Sequence, residues 1–380
     1  MNILINASNL KVGGGVQVAQ SIIEELYKYP KHHFVVVYSD KLELTINKVR
    51  DKENIDTIKY NMPMSLIGTI KGQNIFLDRI VKEKNIDTVL TIFGPSRWTP
   101  KCLHISGFAR PQLVLGDSPY IKELGFLKRI KFELKQILNK WLFSRNSDIY
   151  YTENPFISER LRKLFPNKRV FTVTNYYNQI FDKPELWDNS INLPQSPNKT
   201  FNLLTISANY PHKNLGIALL AAQYLKKHYP NFGFRFIMTI KEEALGNLSD
   251  DLKEHFVFLG PVTIQQCPNL YQQCDAMFLP TLMECFSASY AEAMRMKRPI
   301  ITTDLGFAHS LCGNAAAYYD ALSVSELANQ IYKVANDTNY YQTLVNEGEK
   351  QLMNFDNYEQ RTKKLLDYCV QYNINRQDEF

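Results

Sequence analysis

The sequence lacks the features that mark several large classes of protein. Its 380 residues contain no apolar run of about 18 residues or more, so we expect no transmembrane helix. The first residues, MNILIN, lack the basic region and long apolar stretch of a secretory signal, and they predict an immediate β-strand. Glycine and proline are scattered, which excludes a low-complexity tract. We therefore expect a globular protein of the cytoplasm.

The cysteines show neither a CxxC pair nor a zinc-type spacing. We interpret them as reduced thiols of a cytoplasmic protein, and we expect no metal site. The six positions are Cys102, Cys267, Cys274, Cys285, Cys312 and Cys369.

Charge is unevenly distributed: the first half of the chain has few acidic residues for its basic ones, and the second half has fewer basic than acidic residues. Residues 1–180 contain 27 Lys/Arg and 16 Asp/Glu, whereas residues 181–380 contain 17 and 22. The basic first half predicts an anionic partner, and a nucleic acid, a membrane surface or a phosphorylated substrate would all fit. Because no nucleic-acid-binding module is recognisable, we do not expect nucleic acid.

Short β-branched runs alternate with longer helical patterns, which predicts parallel sheets covered by helices. The pattern restarts after a polar stretch at 187–199 that Pro194 and Pro197 interrupt. We predict two doubly wound domains, 1–180 and 200–355, and a final segment, 356–380, whose helix could pack back on the first domain. Ligands of such sheets bind beyond the carboxyl ends of the strands, so we expect the site between the two domains.

The stretch 279–294 is the most informative for chemistry. A strand ends at Pro280, a loop contains Glu284, and a helix begins near Ala288 and contains Glu292. The free amides at the start of such a helix suit a diphosphate. Glu292 can accept hydrogen bonds from a ribose diol, and Glu284 can reach a sugar beyond the phosphates. Alternatively, both glutamates are surface charges at a helix start.

Two other segments have the composition of phosphate-binding loops. Lys213 follows the first strand of the second domain, where a lysine can neutralise a phosphate, although a solvated lysine is the simpler alternative. Gly13, Gly14 and Gly15 follow the first strand of the chain and permit close approach of a ligand to the backbone. An ordinary strand-to-helix turn explains these glycines equally well.

Taken together, these segments resemble glycosyltransferase family four. Glu284 and Glu292 match the spacing of the family's two glutamates, with Phe286 and Ser287 where the family often has Phe-Gly. Pro280 matches the proline before that loop. Other matches, in the same order as in the family, are Leu259-Gly260-Pro261-Val262, Leu270-Tyr271, Asp304, Gly306, Gly313-Asn314-Ala315-Ala316, Gly14-Gly15-Val16 and Asn175.

This resemblance implies an α/β protein of the GT-B fold, with two facing Rossmann-like, doubly wound domains. It implies transfer of a sugar from a nucleotide-sugar donor with retention at the anomeric carbon, without a metal or another cofactor. Glu284 and His104 would be the catalytic candidates. The donor would be bound by Lys213, Glu292, Asn209, the backbone at Phe286 and Ser287, and the amides of Gly14 and Gly15.

The sequence departs from the family at several of these positions. Ala208 stands where many members have an arginine five residues before the lysine, so neutralisation would fall to Lys213 with help from His212 or Asn209. His104 has no clean match to the family's first-domain histidine, and a buried strand histidine is the alternative.

Residues 121–145 combine apolar residues at helical spacing with many basic ones. We predict a basic amphipathic helix that contacts an anionic membrane at the inner face of the cytoplasmic membrane, or else a core-packed helix with a solvated basic face. A lipid-linked glycan of a bacterial surface polysaccharide, an O-antigen or a capsule, would be the acceptor.

The sequence also permits two alternatives to a glycosyltransferase. One is a catalytically inactive GT-B protein that binds a glycan or a partner, for which the Ala208 departure leaves room. The other is a nicotinamide-dependent oxidoreductase, since Gly13–Gly15 and Asp40 crudely imitate a dinucleotide site.

Overall fold

A computed structural model describes residues 1–11, 13–62, 66–195, 199–246 and 248–377. In these residues the strands are β1 (Asn2–Ala7), β2 (His33–Tyr38), β3 (Ile55–Lys59), β4 (Thr88–Thr91), β5 (Leu103–Gly107), β6 (Ile149–Thr152), β7 (Arg169–Thr172), β8 (Phe201–Thr205), β9 (Phe234–Met238), β10 (Phe256–Phe258), β11 (Ala276–Leu279), β12 (Ile300–Thr303) and β13 (Ala316–Tyr319).

The helices alternate with these strands. They are α1 (Gly14–Ile23), α2 (Glu43–Val49), α3 (Leu66–Lys71), α4 (Ile75–Glu83), α5 (Pro119–Lys122), α6 (Phe126–Asn146), α7 (Pro155–Leu164), α8 (Ile217–His228), α9 (Asp250–Lys253), α10 (Cys267–Gln273), α11 (Ala288–Arg295), α12 (Gly306–Cys312), α13 (Val324–Asn336), α14 (Thr338–Leu352) and α15 (Tyr358–Gln377). Among the residues described, no helix is both long enough and apolar enough to cross a bilayer.

The first structural unit contains 1–116, 125–175 and 356–380, as far as these are described. Its seven-stranded parallel sheet has the order β3-β2-β1-β4-β5-β6-β7. Successive residues of β1 enter different apolar clusters: Ile3 and Ile5 pack with α1, and Leu4 packs with α4. Because side chains alternate along a strand, both faces of this sheet are covered, and this explains the continuous apolar run at residues 3–5 in the centre of β1.

The second structural unit contains 117–124 and 176–355. Its six-stranded parallel sheet, in the described residues, has the order β10-β9-β8-β11-β12-β13. The small residues of α8, Ala218, Ala221 and Ala222, are fully buried in the apolar core of this unit, and α8 packs closely against α13. The predicted α/β class with two doubly wound domains is confirmed.

The boundaries between the two units differ from the predicted ones. Residues 117–124 and 176–195 belong to the second unit, although we placed them in the first domain or in a linker. The described part of the predicted linker, 187–195, is attached to the second unit, since the Asp188 amide donates to the Gln265 carbonyl oxygen at 3.0 Å. Pro197, one of its two prolines, lies outside the described residues.

Helix α15 belongs to the first unit, although it is the last element of the chain. Tyr368 stacks on Phe171 with ring centroids 4.1 Å apart. Arg361, which is buried, donates to the side chains of Asn175 and Ser21. Burial raises the pKa of the nearby Glu153 carboxyl to about 7, while the Arg361 charge opposes this shift. The helix is therefore held by apolar packing, by the hydrogen bonds of Arg361 and by the electrostatic attraction between Arg361 and Glu153.

The close strand contact at Gly107 generates the first prediction. A Cβ atom there would lie 1.9 Å from the Ile92 carbonyl oxygen, which is backbone and cannot move aside. We expect Gly107→Ala to lower the free energy of unfolding by about 3 kcal/mol. The control is Gly116→Ala, because a Cβ at Gly116 would meet nothing within 4 Å. Equal thermal stability of the two variants would contradict the close approach of Gly107 to the Ile92 carbonyl oxygen.

The Arg361–Glu153 pair generates the second prediction. Arg361→Leu would leave a buried carboxylate without its cation, and we expect it to lower the free energy of unfolding by about 3–5 kcal/mol. The loss should be larger at pH 8 than at pH 5.5. The pKa of Glu153 is already raised in the folded state, so stability is greatest below its unfolded value of about 4.5 and is lost as the pH rises through the folded value.

Denaturant unfolding at both pH values measures this effect. Adding Glu153→Gln to Arg361→Leu should restore part of the stability, since no charge then remains unpaired. Lys363→Ala, on an exposed position of the same helix, is the control. A loss equal to that of the control, or one independent of pH, would refute the proposed coupling.

Candidate functional site

The strand order of the second unit brings two distant loops together. Strands β8 and β11 are parallel neighbours in the sheet, so the loops that follow them leave the same edge. These loops are 206–214 and 280–287. The Leu282 amide donates to the His212 carbonyl oxygen at 2.8 Å and ties the two loops directly.

Lys213 and Glu284 meet at this junction. The Lys213 ammonium donates to Oε1 of Glu284, and the Thr281 hydroxyl donates to the same oxygen at 3.2 Å. Only 14% of the Lys213 side chain and 11% of the Glu284 side chain are exposed. The alternatives that took these residues for solvated surface charges are therefore wrong. An ammonium has three donors, so Lys213 can bind an anion while it holds Glu284.

A short 3₁₀ turn, Pro211–Lys213, positions the lysine. Its backbone closes through a hydrogen bond from the Lys213 amide to the Tyr210 carbonyl oxygen at 2.8 Å. The turn ends at Asn214, whose φ of 52° lies in the left-handed region that asparagine tolerates better than most residues. Pro211 starts the turn with a preset φ, and Asn214 redirects the chain into α8.

Helix α11 begins directly after Ser287, whose extended backbone makes it the N-cap. The first amides of an α-helix have no partner within the helix, and the helix dipole adds a partial positive charge there. Phe286 packs edge-on against Phe355 with ring centroids 6.0 Å apart, which fixes the chain just before the helix. The start of α11 thus offers free amides of the kind that bind anions, four residues after Glu284, whose carboxylate contacts Lys213.

Glu292 lies one turn inside α11 and is only 5% exposed. The Tyr271 hydroxyl donates to its Oε2 at 3.2 Å. Burial raises the pKa of the Glu292 carboxyl to about 7, and the Tyr271 hydrogen bond opposes that shift in part. A carboxylate in such surroundings gains from any hydroxyl donors that a ligand brings. The interpretation of Glu292 as a surface acid is also wrong.

Several residues around the pair have no counterpart among the site residues that the sequence predicted. Ser118 donates to the Leu282 carbonyl oxygen at 2.7 Å and supports the loop that carries Glu284. The His212 ring stacks on Tyr210 at 5.7 Å and meets Tyr120 edge-on at 6.1 Å. Burial lowers the pKa of His212 and favours the neutral ring, although Glu284 acts in the opposite direction. Ser118 and Tyr120 lie far from this loop in sequence, so no local pattern could reveal them.

The other predicted donor-binding residues are less closely grouped. Asn209 lies in the same loop as Lys213, but its side-chain amide donates to the Ala244 carbonyl oxygen at 2.8 Å. Gly14 and Gly15 begin α1 in the first unit, with Gly13 at φ 75° as the N-cap. A part for these glycines in donor binding remains a prediction.

His104 is a structural residue of the first unit, and the catalytic assignment is wrong. It lies in β5 with 1% of its surface exposed. Its Nε2 is hydrogen-bonded to Thr91 Oγ1 at 2.8 Å, and its Nδ1 is hydrogen-bonded to the Asn146 carbonyl oxygen. Burial lowers the pKa of His104 to about 4. With both nitrogens occupied inside the sheet, the ring cannot reach a substrate.

Among the described residues, no group of three or more His, Cys, Asp or Glu side chains is arranged to hold a metal ion. The positive charge available at the junction of the two loops comes from Lys213 and from the start of α11.

The burial of Glu292 generates a prediction for stability against pH. Its folded-state pKa of about 7 lies above the ordinary value, so the carboxyl stabilises the fold most below about pH 4.5 and loses that contribution as the pH rises through 7. Glu292→Gln stays neutral, so we expect the variant to exceed the wild type at pH 8 by about 3 kcal/mol and to match it near pH 4.5.

Thermal unfolding of both proteins between pH 4.5 and 8 checks this expectation, using the linkage relation that connects pKa to stability. Glu243→Gln, at an exposed position of the same unit, should show no such divergence. If Glu292→Gln and the wild type kept a constant difference across the range, the carboxyl would not have a raised pKa.

Comparisons with known proteins agree with this geometry. Residues 200–337, which contain Lys213, Glu284 and Glu292, match the sequence model of the family described as glycosyl transferases group 1. A curated relative is the O-antigen chain mannosyltransferase RfbU of Salmonella typhimurium, which is 26% identical over 152 residues. That alignment covers 39% of this chain and 43% of RfbU, so the chain matches less than half the length of this relative.

Two solved structures show the same fold over almost the whole chain. A glycosyltransferase from Rickettsia africae superimposes with a TM-score of 0.66 at 16% identity, covering 97% of each chain. HepE of Anabaena, solved with UDP and glucose, superimposes with a TM-score of 0.64 at 13% identity, covering 97% of this chain and 99% of HepE. The chain therefore has the two-domain α/β architecture called GT-B.

Proposed function

We propose that the protein is a retaining glycosyltransferase. It transfers a sugar from a nucleotide-sugar donor to a lipid-linked glycan during synthesis of a bacterial surface polysaccharide such as an O-antigen or a capsule. One observation carries the proposal: Lys213 and Glu284 meet beside the start of α11, and Glu292 lies one turn further along that helix. The likeness to an O-antigen mannosyltransferase supports the choice of product.

The diphosphate of the donor binds at the start of α11 in this proposal. The first amides of the helix donate to the phosphate oxygens, and Lys213 supplies a full positive charge. Since Ala208 replaces the arginine found in many similar enzymes, Lys213 carries this role without a second cation in that loop. The phosphate would face Lys213 while Glu284 keeps its hydrogen bond to the ammonium.

The nucleoside is anchored by Glu292. Its carboxylate accepts hydrogen bonds from the two ribose hydroxyls, while the Tyr271 hydroxyl holds Oε2 in place. The raised pKa supports this role, because the hydroxyl donors of a ribose stabilise the charged form that burial disfavours. Donor binding should therefore shift the pKa of Glu292 down toward its ordinary value.

The chemical step follows from the charges that develop during transfer. As the bond between the sugar and the diphosphate breaks, negative charge grows on the leaving group, and Lys213 and the α11 amides stabilise it. The sugar becomes positive at the anomeric carbon, and Glu284 accepts hydrogen bonds from its hydroxyls nearby. The acceptor attacks from the face that the diphosphate leaves, and the departing phosphate takes the acceptor's proton. No metal enters this scheme.

An inactive sugar-binding protein of the same fold is the first alternative. It would need neither the Lys213–Glu284 contact nor a carboxylate held beside a cation, and it would bind the donor without breaking it down. A nicotinamide-dependent oxidoreductase is the second alternative. Asp40, which would have to bind the ribose in that case, is an exposed residue in an ion pair with Lys59 at 2.9 Å. That pairing argues against the second alternative.

The proposed role of Lys213 generates a prediction for catalysis. Lys213→Ala removes the charge that stabilises the leaving diphosphate, and we expect kcat to fall by about 100-fold or more. Nucleotide release should be measured with a panel of UDP-, GDP- and dTDP-sugars, after thermal shift has identified the donor that stabilises the protein. Lys227→Ala, at an exposed position of α8, is the matched control.

Three outcomes would count against the proposal. If Lys213→Ala released nucleotide as fast as the wild type, the anion site would be elsewhere. If Glu284→Ala and the wild type both left every donor intact while the donor still bound, the inactive alternative would replace it. If only nicotinamide cofactors raised the melting temperature, the protein would be an oxidoreductase.

A further inference from the structure

Helix α6 exposes a face that a helix covering a sheet would normally bury. Seven of its large apolar side chains are between 41% and 79% exposed. They are Phe126, Leu127, Ile130, Leu134, Ile137, Leu138 and Trp141. We call these seven side chains the α6 apolar face. The expectation of a core-packed helix with a solvated basic face is wrong, because the apolar side is itself exposed to solvent.

The helical periodicity confines this face to one stripe. At about 100° per residue, all seven positions fall within an arc of about 120°. The helix is anchored instead through its opposite side and its last turns, where Leu142, Phe143 and Asn146 are buried. The Phe143 ring packs on Phe108 with centroids 5.0 Å apart. One side thus attaches the helix to the first unit, and the other side presents apolar surface.

Basic side chains flank the α6 apolar face on both borders. The helix contains six Lys or Arg residues and a single acidic residue, Glu133. By the same wheel, Lys131 and Lys135 follow one border of the stripe, and Arg129 and Lys140 follow the other. All four are exposed. Apolar surface between two cationic borders is the pattern of a helix that lies flat at a lipid interface.

A second helix adjoins the carboxyl end of α6. Arg145 donates to the carbonyl oxygens of Thr69, at 2.6 Å, and Ile70 in α3, and its guanidinium also lies 4.0 Å from the centre of the Trp141 ring. Helix α3 exposes two further large apolar side chains, Ile67 at 69% and Ile70 at 58%. The exposed apolar surface of the first unit is therefore not confined to one helix.

We propose that the α6 apolar face docks the protein onto an anionic lipid bilayer, with the helix parallel to the surface and its apolar stripe among the acyl chains. The positive charge along both borders favours an anionic membrane over a second copy of this chain as the partner of this face. Two copies joined through this face would bring their cationic borders together, whereas anionic headgroups neutralise both borders at once. The proposal goes beyond sugar transfer and does not depend on it, since vesicle binding requires no catalysis.

The test is flotation of the full chain with vesicles of phosphatidylcholine alone and with vesicles in which about a third of the lipid is phosphatidylglycerol. We expect binding to the anionic vesicles, weakened by high salt, and little binding to the neutral ones. Leu134→Glu/Ile137→Glu should reduce the partition coefficient at least 10-fold. Lys131→Ala/Lys135→Ala/Lys140→Ala should reduce it on the order of 100-fold.

Leu44→Glu/Ile75→Glu is the matched control for the apolar variant. Both positions belong to the first unit and are more exposed than those of the test pair, at 81% and 87%. This control should bind vesicles like the wild type. In addition, Trp141 fluorescence should shift to shorter wavelength on anionic vesicles, and Trp141→Phe should remove that shift.

Three results would overturn the proposal. The first is no binding to anionic vesicles by the wild type. The second is binding that the two α6 variants leave unchanged. The third is a dimer in solution that Leu134→Glu/Ile137→Glu dissociates, which would make this face a contact between copies. Because all substituted side chains are exposed, unchanged unfolding temperatures will show that a loss of binding is not a loss of fold.

Discussion

The adjacency of β8 and β11 is the constraint on which the candidate site depends. Parallel strands place their carboxyl ends at one edge, so the loops that follow them can touch only if the strands are neighbours. The hydrogen bond from the Leu282 amide to the His212 carbonyl oxygen then sets the spacing of the two loops. The contact between Lys213 and Glu284 follows from this arrangement, although 71 positions separate them in the chain.

Two buried carboxyl groups show how the protein treats charge in its interior. Glu153 and Glu292 both have a pKa of about 7, because burial disfavours their charged forms. The upward shift in the pKa of Glu153 is opposed by the full positive charge of Arg361, and the attraction between the two groups helps to hold α15 on the first unit. The upward shift in the pKa of Glu292 is opposed by the Tyr271 hydroxyl alone. Its charged form would therefore be stabilised by further hydrogen-bond donors. We interpret Glu153 as a structural residue and Glu292 as a residue that binds the donor.

The amphipathic pattern of α6 predicted that the helix forms, but it did not predict which side of the helix is buried. The amphipathic period predicted a helix with one apolar and one basic side, and the structure has this helix at Phe126–Asn146. Which side meets the sheet is a matter of tertiary packing. The buried Leu142 and Phe143 anchor the side of α6 opposite its apolar face, so the apolar face is exposed to solvent. An amphipathic pattern alone cannot tell a helix that covers a core from one that displays its apolar side.

The same limit applies to single residues. His104 matched a catalytic position only loosely, and its environment in β5 decides that it is structural, since both ring nitrogens are bonded within the first unit. Ser118 and Tyr120, by contrast, had no recognisable signal, because their place beside the loop of Glu284 results from a segment that crosses into the second unit. The spacing of residues along the chain predicts which residues of one loop belong to the site. It does not predict which residues from distant segments contact that loop.

By itself, the sequence determined the α/β class, the two doubly wound sheets, and the pairing of Glu284 and Glu292 across one strand-to-helix turn, because each depends on local periodicity and short spacing. Only the tertiary structure decided that Lys213 bonds Glu284, that Glu292 is buried with a raised pKa, that α15 returns to the first unit, and that α6 turns its apolar side outward. These four depend on which surfaces meet and which stay in water, and that is settled by packing among segments far apart in the chain.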